Sequence, residues 1–298
     1  MAIIAWAERW RNLTFGGALG LAAAFTSQAI GVPAVTVESA LQAVRPQAGP
    51  PDTLQFPSGA LRLRGLLWKP RGNGPFPAVL FHHGSGRSYD REMAALGPVY
   101  ASHGYVFFVP FRRGQGLSSD QGPYIGTMID AERRSHGDSA WAQMIVDQLS
   151  GPHFDDVVAA RIFLGGLEFV DRRRIAVAGN SFGGIMTMIT VERDTGFRAA
   201  LDFAGAAQTW KEAPQVRALM LHAARNARVP VFFGQAENDY DLAPSRALGA
   251  EMASVKKPHT VKIFPPFGST TAEGHSFGYF GGAIWAPDVF AFLAEHLR

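Results

Sequence analysis

The chain has 298 residues, 47% of them hydrophobic and 18% charged, enough apolar material for one large α/β domain and too much for a chain that stays unfolded. Its net charge of +3 comes without a long Lys/Arg block, and the short runs Arg133-Arg134 and Arg172-Arg173-Arg174 sit beside acids, so solvated faces are expected and no nucleic acid partner. The absence of cysteine excludes disulfides, a thiol nucleophile, thiolate zinc sites and a lipid-modified N-terminal cysteine.

Residues 1–12 carry Arg9 and Arg11, residues 13–25 are uncharged and apolar, and Ser27-Gln28-Ala29 has a small-x-small pattern. That layout reads as a secretory signal peptide over 1–29, with export to a periplasm or medium. The apolar stretch is too short for a comfortable membrane span, so no stable span is expected after processing. The alternative is an amphipathic N-terminal helix or a misassigned start, which would leave the protein cytoplasmic. Residues 30–51 mix Pro, Gly and Ala and read as a lead-in.

The domain is expected over 52–298. Residues 54–56 and 61–68 read as two strands with a Pro57-Ser58-Gly59 turn, an antiparallel hairpin at a sheet edge. Residues 77–82 are a continuous apolar strand of the kind buried on both faces, ending in His83-Gly84-Ser85-Gly86. A helix is expected over 89–102, a buried strand over 104–110, and then a loop through Arg112-Arg113-Gly114-Gln115-Gly116-Leu117-Ser118. From 119 to 153 the pattern loosens, with helix expected over 131–148, and reads as a helical insertion or cap over the sheet. Helices follow at 155–169, 185–191, 210–226, 244–254 and 288–297. The strands between them fall at 174–178, 197–203, 229–234 and 260–264. Eight strands alternating with helices predict a mostly parallel sheet with helices on both faces.

The strand at 174–178 runs into Gly179-Asn180-Ser181-Phe182-Gly183-Gly184 and then a helix. G-x-S-x-G between strand and helix is a nucleophile elbow: the turn is so tight that only small residues fit two before and two after the serine. A serine hydroxyl needs a base to take its proton and a third group to orient that base. Candidates follow later strands. Glu237, Asp239 and Asp241 come after 229–234, and His275 lies in a Gly-rich loop after 260–264. Asp239 is the first choice of orienting acid, with Asp241 next and Glu237 a weaker third. The oxyanion donors are expected to be the backbone N–H groups of Phe182, directly after the nucleophile, and of Ser85. Trp210, Tyr124, Met128 and Phe277 are candidate pocket residues, with core packing as the alternative. Arg112 and Arg113 are expected to hold their loop through carboxylates, and His83 to pack beneath it.

These features resemble the α/β-hydrolase superfamily. Within it the stretches 81–86, 104–118 and 170–184 are similar to the dienelactone-hydrolase-like and prolyl-oligopeptidase-like branch, a resemblance covering about 52–298. It implies a hydrolase without metal or organic cofactor. Dienelactone hydrolases use a cysteine where this chain has Ser181, so dienelactone is not the expected substrate. The peptidases of the branch carry a β-propeller, for which no room is expected here. The expectation is therefore a serine hydrolase of small-molecule carboxylic esters. A small serine peptidase or amidase is the alternative, and a non-catalytic binding protein of the same fold a more distant one. Oligomeric state is not legible.

Overall fold

The computed structural model of the protein describes residues 49–298. The export reading of 1–29 and nearly all of the lead-in lie outside the described residues. The described strands are β1 Asp52–Ser58, β2 Leu61–Trp68, β3 Phe76–His82, β4 Val106–Pro110, β5 Val170–Asn180, β6 Ala199–Phe203, β7 Val231–Ala236 and β8 His259–Phe264. They form one sheet in the order β1-β2-β4-β3-β5-β6-β7-β8. β1 pairs antiparallel with β2 and β2 antiparallel with β4, while β4 through β8 run parallel. This is the α/β-hydrolase fold, with the predicted hairpin at one edge.

The continuous apolar runs are explained by what each face touches. Successive side chains of a strand point to opposite faces. Ala78, Leu80, Val106, Phe108, Ile175, Val177, Val231 and Phe233 enter one buried cluster, and Val79, Phe81, Phe107, Val109, Ala176, Ala178 and Phe232 the other. Five helices cover the first face: α2 Ile125–Ser150, α3 Pro152–Gly165, α4 Phe182–Arg193, α5 Pro214–Asn226 and α6 Ala243–Ser254. The second is covered by α1 Asp90–Ser102 and, after the short α7 Thr271–His275, by α8 Phe277–Phe280 and α9 Gly282–His296. Among the described residues no helix is long and apolar enough to cross a membrane.

Several boundaries differ from the sequence reading. α2 begins at Ile125 rather than 131, because Ile125 and Ile129 are buried one turn apart. It breaks at Gly137, whose φ of 85° is open to glycine at little cost. Its second half is anchored by Trp141, Ala142, Ile145 and Leu149 in the core and tied to α5 by Gln215 on Ser139, while Arg133 in the first half pairs with Glu212 in the turn before α5. α3 starts at Pro152 and stops before Gly166, so 166–169 are turn. β5 starts at Val170, four residues before the expected 174, since Val170 already pairs with Phe76. α9 starts at Gly282, six residues before expectation, and accommodates Pro287 in its first turns.

Candidate active site

The elbow is built as the pattern requires. Ser181 follows β5 and precedes α4 with φ 59° and ψ −117°, a conformation L residues seldom adopt. A Cβ on Gly179 would run into the Gly183 carbonyl, and one on Gly183 into the His82 carbonyl of β3. The glycines therefore let the turn close and seat it against the neighbouring strand. The Ser181 amide donates to the Phe203 carbonyl of β6 (2.8 Å), which pins the turn from the other side.

His275 closes α7, a five-residue helix held by a capping box: Glu273 N–H donates to Thr270 Oγ1 (3.2 Å) and Thr270 N–H to Glu273 Oε2 (3.0 Å). Amide and hydroxyl donors from Ser269 and Thr270 hold the Glu273 carboxyl below its ordinary range. Asn180 Nδ2 donates to the His275 carbonyl (3.3 Å). The His275 ring is mostly buried; its Nε2 lies 2.8 Å from Ser181 Oγ and its Nδ1 2.8 Å from Asp239 Oδ1. The Asp239 side chain is fully buried. It accepts from Tyr240 N–H (2.6 Å) and from Gln235 Nε2 (2.8 Å). Gln235 in turn accepts from Ser245 Oγ (2.8 Å) and donates to the Asp241 carbonyl (2.8 Å). The Tyr240 ring meets the His275 ring edge-on at 5.3 Å.

The structure thus brings Asp239, and neither Asp241 nor Glu237, to His275. Asp241 Oδ1 accepts from Ala243 N–H (2.9 Å) at the start of α6, and its Oδ2 faces Lys211 Nζ at 3.5 Å. Glu237 is exposed. Asn238 was not singled out from the sequence. It donates to the carbonyls of Phe267 (3.0 Å) and Thr270 (2.9 Å) and accepts from Phe267 N–H (2.9 Å), strapping the acid loop to the histidine loop. An asparagine beside the acid was the available signal.

The loop His83–Gly86 has nearly all its backbone groups engaged. Arg112 Nη1 donates to the His83 carbonyl (2.8 Å) and Nη2 to the Gly84 carbonyl (2.5 Å). Gln115 Nε2 reaches the Ser85 (3.2 Å) and Gly86 (2.6 Å) carbonyls, and Tyr124 Oη donates to Ser85 O (2.8 Å). Gly84 N–H donates to Tyr279 Oη (2.8 Å) and Gly86 N–H to Tyr89 Oη (2.6 Å). The Ser85 N–H has no acceptor among the described residues. His83 is buried below, its Nε2 3.4 Å from Arg112 N–H and its Nδ1 between Arg112 Nη2 (3.1 Å) and the Gly84 carbonyl (3.0 Å).

Arg113 behaves as expected, gripping Asp156 with two hydrogen bonds (2.9 and 2.6 Å). Arg112 does not: it holds backbone carbonyls, and no carboxylate lies within ion-pair distance of it among the described residues. Burial lowers the Arg112 guanidinium to about 10, still protonated at neutral pH. Burial and the nearby Arg112 charge bring His82 and His153 down to about 3 each, so both are neutral. Beneath the elbow, Gly184 and Gly205 leave room for the buried Asp202 carboxyl, which accepts from Gly205 N–H (2.9 Å) and is pushed up to about 7 by burial.

The four suggested pocket residues separate. Phe277 is core, its ring against Phe264 (5.0 Å) and Phe267 (5.6 Å), and Trp210 is buried in the opposite cluster; both pocket readings are corrected. Tyr124 belongs to the His83–Gly86 loop, with Arg87 over its ring at 4.0 Å. Met128 is half-buried on α2. An open depression of about 630 Å³ beside the acid is lined instead by Asp239, Tyr240, Asp241, Leu242, Ala243, Arg246 and Ala247.

Sheet order, elbow and the placement of Asp239 and His275 after β7 and β8 define an α/β-hydrolase. The chain belongs to the prolyl oligopeptidase family, whose model matches residues 118–298, more than half of the chain, including Ser181, Asp239 and His275. Among solved structures it is similar to the uncomplexed acylaminoacyl peptidase of Pyrococcus horikoshii, with 22% identity and a TM-score of 0.61 over 85% of this chain and 43% of that one. A puromycin-hydrolyzing peptidase of Mycobacterium tuberculosis matches at 19% identity and TM-score 0.58, over 83% of this chain and 40% of that one. A Klebsiella pneumoniae protein provisionally named a dienelactone hydrolase matches at 14% identity and TM-score 0.60, over 81% of this chain and 98% of that one. At these identities the likeness is one of fold, and the chain spans less than half the length of the two peptidases.

Proposed function

We propose that the protein is a serine hydrolase that cleaves carboxylic esters of small molecules through an acyl-enzyme on Ser181. The observation that supports this is the continuous hydrogen-bonded line from Ser181 Oγ through His275 to the buried Asp239 carboxylate. In this reading His275 Nε2 takes the Ser181 proton as Oγ adds to the acyl carbon. The carbon–oxygen bond to the leaving alcohol breaks as His275 returns the proton to it. Water then adds to the acyl carbon as it loses a proton to His275, the acyl–Oγ bond breaks, and His275 returns the proton to Ser181 Oγ as the acid leaves. Asp239 holds Nδ1–H and stabilises the imidazolium. The Phe182 amide, at the free first turn of α4, and the unbonded Ser85 amide would carry the oxyanion, each worth about 3 kcal/mol of barrier.

The second reading is an amidase or small peptidase. It is supported by membership of the prolyl oligopeptidase family and by the names of the two peptidase structures. The same residues would serve, with protonation of a poorer leaving group by His275 more demanding. A panel of p-nitrophenyl esters and aminoacyl anilides, run with the parent and Ser181→Ala, separates these. Ser181-dependent ester release with slow anilide turnover is expected; faster anilides would establish the peptidase reading, and no Ser181-dependent release would overturn both. We further propose export on the strength of residues 1–29, tested by N-terminal sequencing of the mature protein.

A further inference from the structure

The proposed oxyanion site depends on how one peptide plane is held. In a trans peptide the carbonyl oxygen and the next N–H point in opposite directions. Gly84 C=O and Ser85 N–H belong to one such plane. The Gly84 oxygen accepts from Arg112 Nη2 (2.5 Å), so the Ser85 N–H is turned the other way. The planes on either side are fixed at both ends. His83 O is held by Arg112 Nη1 and Gly84 N–H by Tyr279, while Ser85 O is held by Tyr124 and Gln115 and Gly86 N–H by Tyr89. Only the middle amide is left without an acceptor among the described residues.

Arg112 is also the buried charge of this region. It is 2% exposed and has Gln115 Oε1 as a neutral partner at 3.1 Å. Its guanidinium carbon lies 5.9 Å from the centre of the Phe182 ring, so it adjoins the residues of both proposed donors. A cation hydrogen-bonded to a carbonyl polarises that peptide and makes its N–H a stronger donor. Burying an arginine without a carboxylate is costly and needs a compensating set of acceptors, which the two loop carbonyls and Gln115 supply.

We infer that Arg112 is a positioning residue for the oxyanion site, aiming and polarising the Ser85 amide through the Gly84 carbonyl and holding positive charge beneath the developing oxyanion. The inference rests on the hydrolase reading above. It is distinct from a role for Arg113, which is spent on Asp156.

The test compares the parent, Arg112→Met and Arg112→Lys with the best ester, with thermal melting measured alongside. Arg112→Met is expected to lose about 10²–10³ in kcat with KM within about threefold. Arg112→Lys is expected to recover only part of this, since one ammonium cannot replace a two-pronged guanidinium. Affinity for a trifluoromethyl ketone matching the acyl group, which forms a tetrahedral adduct on Ser181, should fall by the same factor as kcat/KM. A purely structural role would instead shift melting and KM without that correlation. A kcat within threefold of the parent in either variant overturns the assignment, and so does loss of kcat/KM with ketone affinity unchanged. If Arg112→Met does not fold, Arg112→Lys carries the same comparison. Absence of Ser181-dependent turnover in the parent overturns both this assignment and the reading beneath it; an active parent with unaffected variants overturns this one alone.

Discussion

The two halves of the candidate site are supported differently. Ser181, Asp239 and His275 each follow a strand of the parallel sheet, and their orientation comes mainly from neighbours in their own loops: the elbow glycines, the Tyr240 amide, the Thr270–Glu273 capping box. The loop His83–Gly86 is instead gripped by side chains from five separate positions, Tyr89, Arg112, Gln115, Tyr124 and Tyr279. The first half is an assembly of local motifs and the second an amide frame wired from a distance. A reactive side chain can be aimed by its own turn. A backbone amide has no side chain to carry it, so its direction must be imposed through the peptide plane.

The sharpest way to break the comparison lies in the first half. Ser181→Ala is expected to lower kcat by about 10⁵–10⁶-fold and to abolish any burst of alcohol release. A residual rate near that of the parent would show the line of three to be structural. Next in size is the contrast between the two aspartates. Asp239→Asn should cost about 10⁴-fold in kcat through the wrong histidine tautomer, whereas Asp241→Asn should leave kcat within about threefold and stability nearly unchanged, since the Asn Oδ1 keeps the acceptor for Ala243 N–H. Equal losses in both would contradict the separation made by Asp239 Oδ1 on His275 and Asp241 Oδ1 on Ala243.

Gln235→Leu tests how far the local half leans on its own strand. It strips one donor from Asp239 and one from the Asp241 carbonyl, and a loss of about 1–3 kcal/mol, read as a fall in kcat/KM of about fivefold to 150-fold, is expected. No change would mean that the Tyr240 amide alone orients the acid.

The smallest effect concerns stability rather than rate. The folded Asp202 carboxyl titrates near 7 and its unfolded counterpart near 3.8, so the folded state keeps a proton that the unfolded chain releases. The stabilisation from that proton is complete below about 3.8 and is lost as pH rises through about 7. Asp202→Asn imitates the protonated form and keeps an acceptor for Gly205 N–H. The variant is expected to gain on the order of 2 kcal/mol over the parent at pH 8, with the difference shrinking towards pH 4. Urea unfolding across that range checks it; a pH-independent difference would place the proton elsewhere.

The sequence by itself determined much of the scaffold and the order of the chemistry. Continuous apolar runs announced strands buried on both faces, two glycines flanking Ser181 announced the elbow, and acid and histidine stood after later strands. Such features are legible because they are short-range: a period of two, a tight turn, a loop after a strand. Where the tertiary structure decided, the partners are far apart in the chain. The grip of Tyr279 on Gly84 spans 195 residues and that of Arg112 on His83 spans 29. Neither leaves a periodic trace, so Arg112 looked like a partner for carboxylates and turned out to hold carbonyls. The choice of Asp239 over Asp241 was decided the same way, by which carboxylate faces His275 once α6 had claimed the other for its first turn. So was the fate of Trp210, in the turn before α5, and of Phe277, which opens α8, since their burial depends on distant elements packed over them. Composition and spacing specify what a segment can form; the direction of a single amide or carboxylate is settled only when distant elements close around it.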